Sequence, residues 1–227
     1  MFNWLLKKEE KPIIVCIHGF GKRKSVEFDV LKSYLSEYEC VIPDLFDQSN
    51  EEDKYMEDWI KRAEDVLLSV TRRHKRIILV GFSMGGVIAS HLASKIRVER
   101  LILIAPAFEY FTFTTATSVL SDVFSKSKKK CEDSFIPLPK DFTSTFINIV
   151  DTYAQDIYRV ECPLMMLHAS EDEVISSNVS EKVYRKIENP HKKCFILQGG
   201  CHRLLEDQNL GYDALYLIKS YIEGKLK

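Results

Sequence analysis

Ser83, Asp172 and His202 are the residues of this chain whose types and order could carry out nucleophilic acyl chemistry. Ser83 lies in Gly81-Phe82-Ser83-Met84-Gly85, after the run Arg76-Ile77-Ile78-Leu79-Val80 and before Gly86-Val87-Ile88-Ala89. Strand, sharp turn and helix in that order push a serine hydroxyl out of the backbone envelope, and small neighbours let strand and helix pass closely. The first amides of the helix then face whatever the serine attacks, so N–H donors and a positive dipole end meet developing negative charge. The motif alone is weak, since chance supplies one match in roughly ten chains of this length. Its rival reading is a glycine-rich turn whose serine caps a helix. The strand before it and the helix after it favour the nucleophile.

A serine hydroxyl needs a base to take its proton, and the base needs a third group to orient it. His202, in Gly199-Gly200-Cys201-His202, follows the last apolar run. In an open parallel sheet that loop emerges at the carboxyl ends of the strands, where ligands bind. His18 and His168 end other strands near the same rim, while His74 and His191 precede strands and belong at the opposite end. His91 falls on the helix behind Ser83. The order serine, acid, histidine selects the acidic loop Glu171-Asp172-Glu173, with Asp172 as the acid. Three adjacent acids also fit a solvated loop, and Glu109 is the rival.

An oxyanion needs two fixed N–H donors. Met84, directly after the serine, supplies one amide. Phe20, in His18-Gly19-Phe20-Gly21 after the first strong strand, supplies the other, and the flanking glycines permit the tight path it requires.

These residues must be positioned by alternating strands and helices. Strands are predicted over 12–18, 39–43, 76–80, 100–105, 162–168 and 193–198. Helices are predicted over 25–38, 53–74, 85–96, 177–187 and 211–223. The second of these places Trp59, Ala63, Val66, Leu67 and Val70 on one face. Continuous apolar runs such as Ile13-Ile14-Val15-Cys16-Ile17 and Leu101-Ile102-Leu103-Ile104 read as buried parallel strands. The fold class is therefore α/β, a three-layer, mostly parallel sheet with helices on both faces.

The segment 107–150 breaks the alternation. Its aromatics, Phe108, Tyr110, Phe111, Phe113, Phe124, Phe135, Phe142 and Phe146, read as a small helical cap over the strand ends. The alternative is that they close the core of the sheet itself. Lys126, Lys128, Lys129 and Lys130 read as a solvated loop tip.

At 227 residues the chain is expected to be one domain, residues 1–227. A net charge of −1 gives no basic excess for nucleic acid. The six cysteines show no Cys-x-x-Cys or zinc-type spacing, and Cys16 and Cys194 fall in strands predicted to be buried. A reducing, cytoplasmic setting is expected. The first eight residues lack the marks of a signal peptide, and no stable membrane insertion is expected. No metal or nucleotide motif is visible, so neither cofactor nor metal is expected.

Taken together, His18-Gly19-Phe20-Gly21, Gly81-Phe82-Ser83-Met84-Gly85-Gly86, the run from Cys162-Pro163 to His168-Ala169-Ser170-Glu171-Asp172-Glu173-Val174-Ile175, and Gly200-Cys201-His202 resemble the α/β-hydrolase superfamily. The whole is similar to a compact bacterial-type carboxylesterase with a short cap. The resemblance implies Ser83 as nucleophile, His202 as general base and acid, and Asp172 as its orienter. Two departures stand out: His168-Ala169 replaces the His-Gly often seen before the acid, and the short N-terminal region implies reduced or absent antiparallel strands. A serine at the elbow speaks against the dehalogenase and epoxide-hydrolase members, which use aspartate there.

The expected activity is hydrolysis of a small or medium acyl ester or thioester through an acyl-enzyme, with an apolar acyl pocket under the aromatic segment. Acyl transfer to another acceptor would use the same three residues. A non-catalytic binding protein on the same fold is the reading from a different class.

Overall fold

Six parallel strands form the sheet: β1 Ile13–Ile17, β2 Cys40–Val41, β3 Ile77–Phe82, β4 Arg100–Ile104, β5 Leu164–Ala169 and β6 Lys192–Leu197. The computed structural model describes residues 10–21, 26–73, 76–109 and 139–226. The strand order is β2-β1-β3-β4-β5-β6, with every neighbouring pair parallel. Among the described residues six α-helices accompany the sheet: α1 Asp29–Tyr34, α2 Met56–Arg73, α3 Met84–Ala93, α4 Lys140–Tyr153, α5 Ser177–Lys186 and α6 Gly211–Ile222.

Alternate residues of each strand point to opposite faces, so one apolar run feeds two cores. Ile13, Val15 and Ile17 pack with Trp59, Leu67, Val87, Phe142 and Ile149 from α2, α3 and α4. Ile14 and Cys16 pack with Leu31 of α1 and with Ala214, Leu215 and Ile218 of α6. Layers on both sides make this the expected three-layer α/β fold. Among the described residues no strand pairs antiparallel.

The differences from expectation have physical causes. The helix expected over 25–38 becomes a 3-10 turn, Val26–Phe28, followed by α1, which ends at Tyr34. By Glu39 the chain has already joined the sheet, because Ile14 N–H donates to the Glu39 carbonyl at 2.9 Å. The strand expected over 39–43 shrinks to Cys40–Val41, and Pro43 has no N–H to offer a ladder. Cys194 is half-buried rather than buried, because β6 is the last strand of the sheet.

Much of the expected cap, residues 110–138 with its lysines and most of its aromatics, lies outside the described residues, as does His74. What is described of it, α4, joins the main core. The Phe142 ring meets Trp59 at 5.1 Å, and the Phe146 ring stacks on Phe20 at 5.2 Å.

Candidate active site

Ser83 is the single residue between the end of β3 and the start of α3. Its φ of 53° and ψ of −120° lie where L-residues are strained. The elbow is held from both sides: Ser83 N–H donates to the Ile104 carbonyl at 3.0 Å, and Ala107 N–H donates to the Ser83 carbonyl at 3.1 Å. The surrounding glycines are steric necessities. A Cβ on Gly81 would lie 2.4 Å from the Gly85 carbonyl oxygen, and one on Gly85 only 2.0 Å from that of Ile17. The first turn of α3 therefore sits directly on the end of β1, which brings the His18–Phe20 loop to the serine.

The loop after β6 reverses through Gly199 and Gly200, with φ of 90° and 78°, and delivers His202 over the same sheet end. His202 Nε2 lies 3.1 Å from Ser83 Oγ, and Nδ1 lies 2.8 Å from Asp172 Oδ2. A carboxylate oxygen can only accept, so Nδ1 carries the proton and Nε2 is left to accept from the serine hydroxyl. Asp172 hangs from the loop after β5. Its Oδ1 accepts the Val174 and Ile175 N–H groups, each at 2.8 Å. Its Oδ2 also receives His168 Nε2 at 2.9 Å. Burial pushes this carboxyl upward, but the attraction of His202 and the hydrogen bonds from His168 and His202 outweigh it and hold it well below the usual carboxylate range.

The three sequence-selected residues thus touch in the order hydroxyl, imidazole, carboxylate. Glu109, the rival acid, is exposed and pairs with Lys182 at 3.5 Å. His91 and His191 take no place at this end. His91 Nδ1 faces Asp156 at 2.5 Å. Met84 directly follows Ser83, and the loop that carries Phe20 passes close to it, since a Cβ on Gly19 would lie 3.2 Å from the serine Cβ.

Three further side chains shape the loops, and sequence reasoning gave them no such role. His18 Nε2 accepts Leu45 N–H at 3.2 Å, so Nδ1 carries the proton and donates to the Gly19 carbonyl at 2.8 Å. That carbonyl and the Phe20 N–H belong to one planar peptide and point opposite ways, so the ring that holds one aims the other. Glu27 accepts the Gly19 N–H at 2.8 Å from inside the protein. Burial raises its carboxyl to about 7, against the opposing Gly19 hydrogen bond and the charges of Arg203 and His202. Glu173 accepts the backbone N–H of His202 at 3.1 Å. His18 had a signal in its position after β1. Glu27 and Glu173 had none, because their partners lie far along the chain or in another loop.

Comparison with known proteins matches the model described as the alpha/beta hydrolase family over residues 14–161, well over half the chain. The chain belongs to the alpha/beta hydrolase family. A second family model, described as serine aminopeptidase S33, matches residues 137–209 of this hydrolase. A Mycoplasma pneumoniae protein provisionally named esterase/lipase 2 is 27% identical over 127 residues, 52% of this chain and 47% of its own length. The hydrolase thus spans about half the length of that curated relative. Among solved structures, one from the metagenome-derived lipolytic pair LipS and LipT superposes with a TM-score of 0.77 at 18% identity, covering 94% of each chain. The monoacylglycerol lipase of Paleococcus ferrophilus gives 0.72 at 12% identity, covering 94% of this chain and 96% of its own. An Exiguobacterium antarcticum esterase gives 0.71 at 15% identity, covering 94% and 92%. Among the described residues no helix is long and apolar enough to cross a membrane.

Proposed function

We propose that this hydrolase is a serine esterase that cleaves a small or medium acyl ester or thioester through an acyl-enzyme on Ser83. The observation that carries this reading is the unbroken contact from Ser83 Oγ through the His202 ring to the enclosed Asp172 carboxylate. His202 takes the serine proton as the hydroxyl adds to the acyl carbon. The tetrahedral oxyanion is received by the amides of Phe20 and Met84, each worth about 3 kcal/mol in such a transition state. His202 then returns the proton to the leaving group and activates a water that releases the acyl chain. Asp172 keeps the imidazole in the required tautomer throughout. The esterase and lipase names among its relatives support the substrate class. In this reading the chain is a single domain.

A fluorophosphonate probe tests the reading. It should label the native chain once, at Ser83, and neither Ser83→Ala nor His202→Ala should be labelled while both remain folded. A folded wild type that resists the probe and leaves a chain-length series of nitrophenyl esters and acyl thioesters untouched would refute it.

A further inference from the structure

Two imidazoles converge on one oxygen of Asp172. Besides His202 Nδ1 at 2.8 Å, His168 Nε2 approaches Oδ2 at 2.9 Å and the Ile175 carbonyl at 3.0 Å. Both His168 contacts are acceptors, so Nε2 carries a proton. The other ring nitrogen, Nδ1, lies 2.8 Å from Ser180 Oγ on α5. His168 and Ser180 are wholly buried. An enclosed imidazolium would forfeit its hydration, whereas a neutral ring is satisfied when the Ser180 hydroxyl donates to Nδ1. The rest of β5, Leu164-Met165-Met166-Leu167 and Ala169, is apolar and buried, so a packing role at position 168 would be filled more cheaply by another aliphatic residue.

We infer that His168 is a positioning residue for the acid: it locks the Asp172 carboxylate by donating to the oxygen that receives His202, and Ser180 fixes its tautomer. The inference rests on the reading of Ser83, His202 and Asp172 as the reacting triad. With Oδ1 held by the Val174 and Ile175 amides, the His168 bond on Oδ2 fixes the other edge of the carboxylate, so the plane cannot rotate away from His202. The same bond shares the negative charge of Oδ2 between two donors. The titratable groups facing Asp172 are His168 from β5 and His202 from the loop after β6, while α5 turns Ser180 toward the His168 ring; His202 itself also faces the buried Glu27 and, through its backbone N–H, Glu173, both of which are unchanged in every variant compared. Without the His168 donor, Oδ2 becomes a stronger acceptor for the imidazolium of His202 and a less fixed one.

The test uses the full chain with a nitrophenyl ester across pH 5 to 9, and fluorophosphonate labelling as an independent check on Ser83. His168→Leu should lower kcat by about 10- to 100-fold, the worth of a hydrogen bond to a charged group, with KM within about twofold. The acidic limb of its rate profile should move to higher pH. His168→Gln, which returns an N–H near the position of Nε2, should recover most of the loss. A folded His168→Leu protein with the wild-type kcat and pH profile, or equal losses in both variants, would overturn the inference. If the leucine variant does not fold, Ser180→Ala decides: about a threefold loss with the limb displaced the same way supports the tautomer lock, and an unchanged profile overturns it. A wild type that is not labelled at Ser83 removes the triad reading itself, whereas a labelled wild type with indifferent variants removes only the role of His168.

Discussion

His202 and Asp172 meet at 2.8 Å, Nδ1 to Oδ2, with the carboxylate side chain wholly enclosed. That enclosure makes the acid a tautomer selector. An amide in its place can turn a donor toward Nδ1, which moves the ring proton to Nε2, where it blocks acceptance from Ser83. Asp172→Asn should therefore leave the fold intact and lower ester turnover by up to about 10⁴-fold. Steady-state kinetics with a nitrophenyl ester will show it. Near-normal turnover in a folded Asp172→Asn protein would remove Asp172 from the mechanism.

Glu27 makes stability fall as pH rises. Its carboxyl titrates near 7 when folded, against 4.5 for the ordinary group, because burial penalises the charge. Below pH 4.5 both folded and unfolded states hold the proton, and no penalty exists. Between 4.5 and 7 the unfolded chain releases its proton first, so the native state loses ground, and above 7 the loss is complete at about 3 kcal/mol. Glu27→Gln keeps an oxygen for the Gly19 N–H and has no charge to bury. It should match wild type near pH 4.5 and melt at a higher temperature at pH 8. A Tm difference that does not change between those two pH values would refute this account.

Gly85 and Gly199 should both lose stability on substitution by alanine, but by very different amounts. At Gly85 the added methyl meets the Ile17 carbonyl oxygen at 2.0 Å and that of His18 at 2.5 Å, both rigid backbone. Relief requires α3 to lift from β1, so Gly85→Ala should cost more than about 3 kcal/mol in denaturant unfolding. At Gly199 nothing lies within 4 Å, and the only cost is the left-handed φ of 90°. Gly199→Ala should lose about 1–2 kcal/mol. Equal losses at the two positions would show that the elbow is looser than the contacts imply.

The legible parts of this fold are those written in consecutive residues. β1, β3, β4 and β5 are buried on both faces and so are apolar almost throughout, Arg100 and His168 being the charged or polar exceptions, which makes Ile13–Ile17 or Leu164–Leu167 plain in sequence. The elbow motif reads plainly because Gly81, Gly85 and Gly86 have no room for a methyl group. Asp172 was partly legible among its acidic neighbours, since a short carboxylate can accept N–H groups two and three residues on, and it does so at Val174 and Ile175. The end of α1 and the two-residue length of β2 were not legible, because the sheet edge sets them rather than local pattern. Nor were the partnerships of Glu27 with Gly19, His168 with Ser180, or Glu173 with His202. Each is a single polar contact between separate turns or elements, and such contacts leave no periodicity in the chain.

Glu173 offers a last test of how His202 is held. Its neighbour Asp172 grips the ring, while Glu173 Oε2 accepts the backbone N–H of His202 at 3.1 Å. The two bonds act on different degrees of freedom: the first sets the ring plane, the second sets where the loop places the Cα. Gly199 and Gly200, just upstream, make that loop easy to displace, so its position depends on anchors such as this one. Glu173 is exposed and water competes for its carboxylate, so the bond is worth about 1 kcal/mol. Glu173→Ala should lower kcat by about three- to tenfold with little change in Tm, and Glu173→Gln, whose amide oxygen can still accept the N–H, should recover activity. If Gln and Ala variants lose activity equally, the negative charge of Glu173 rather than its grip on the loop is what matters to His202.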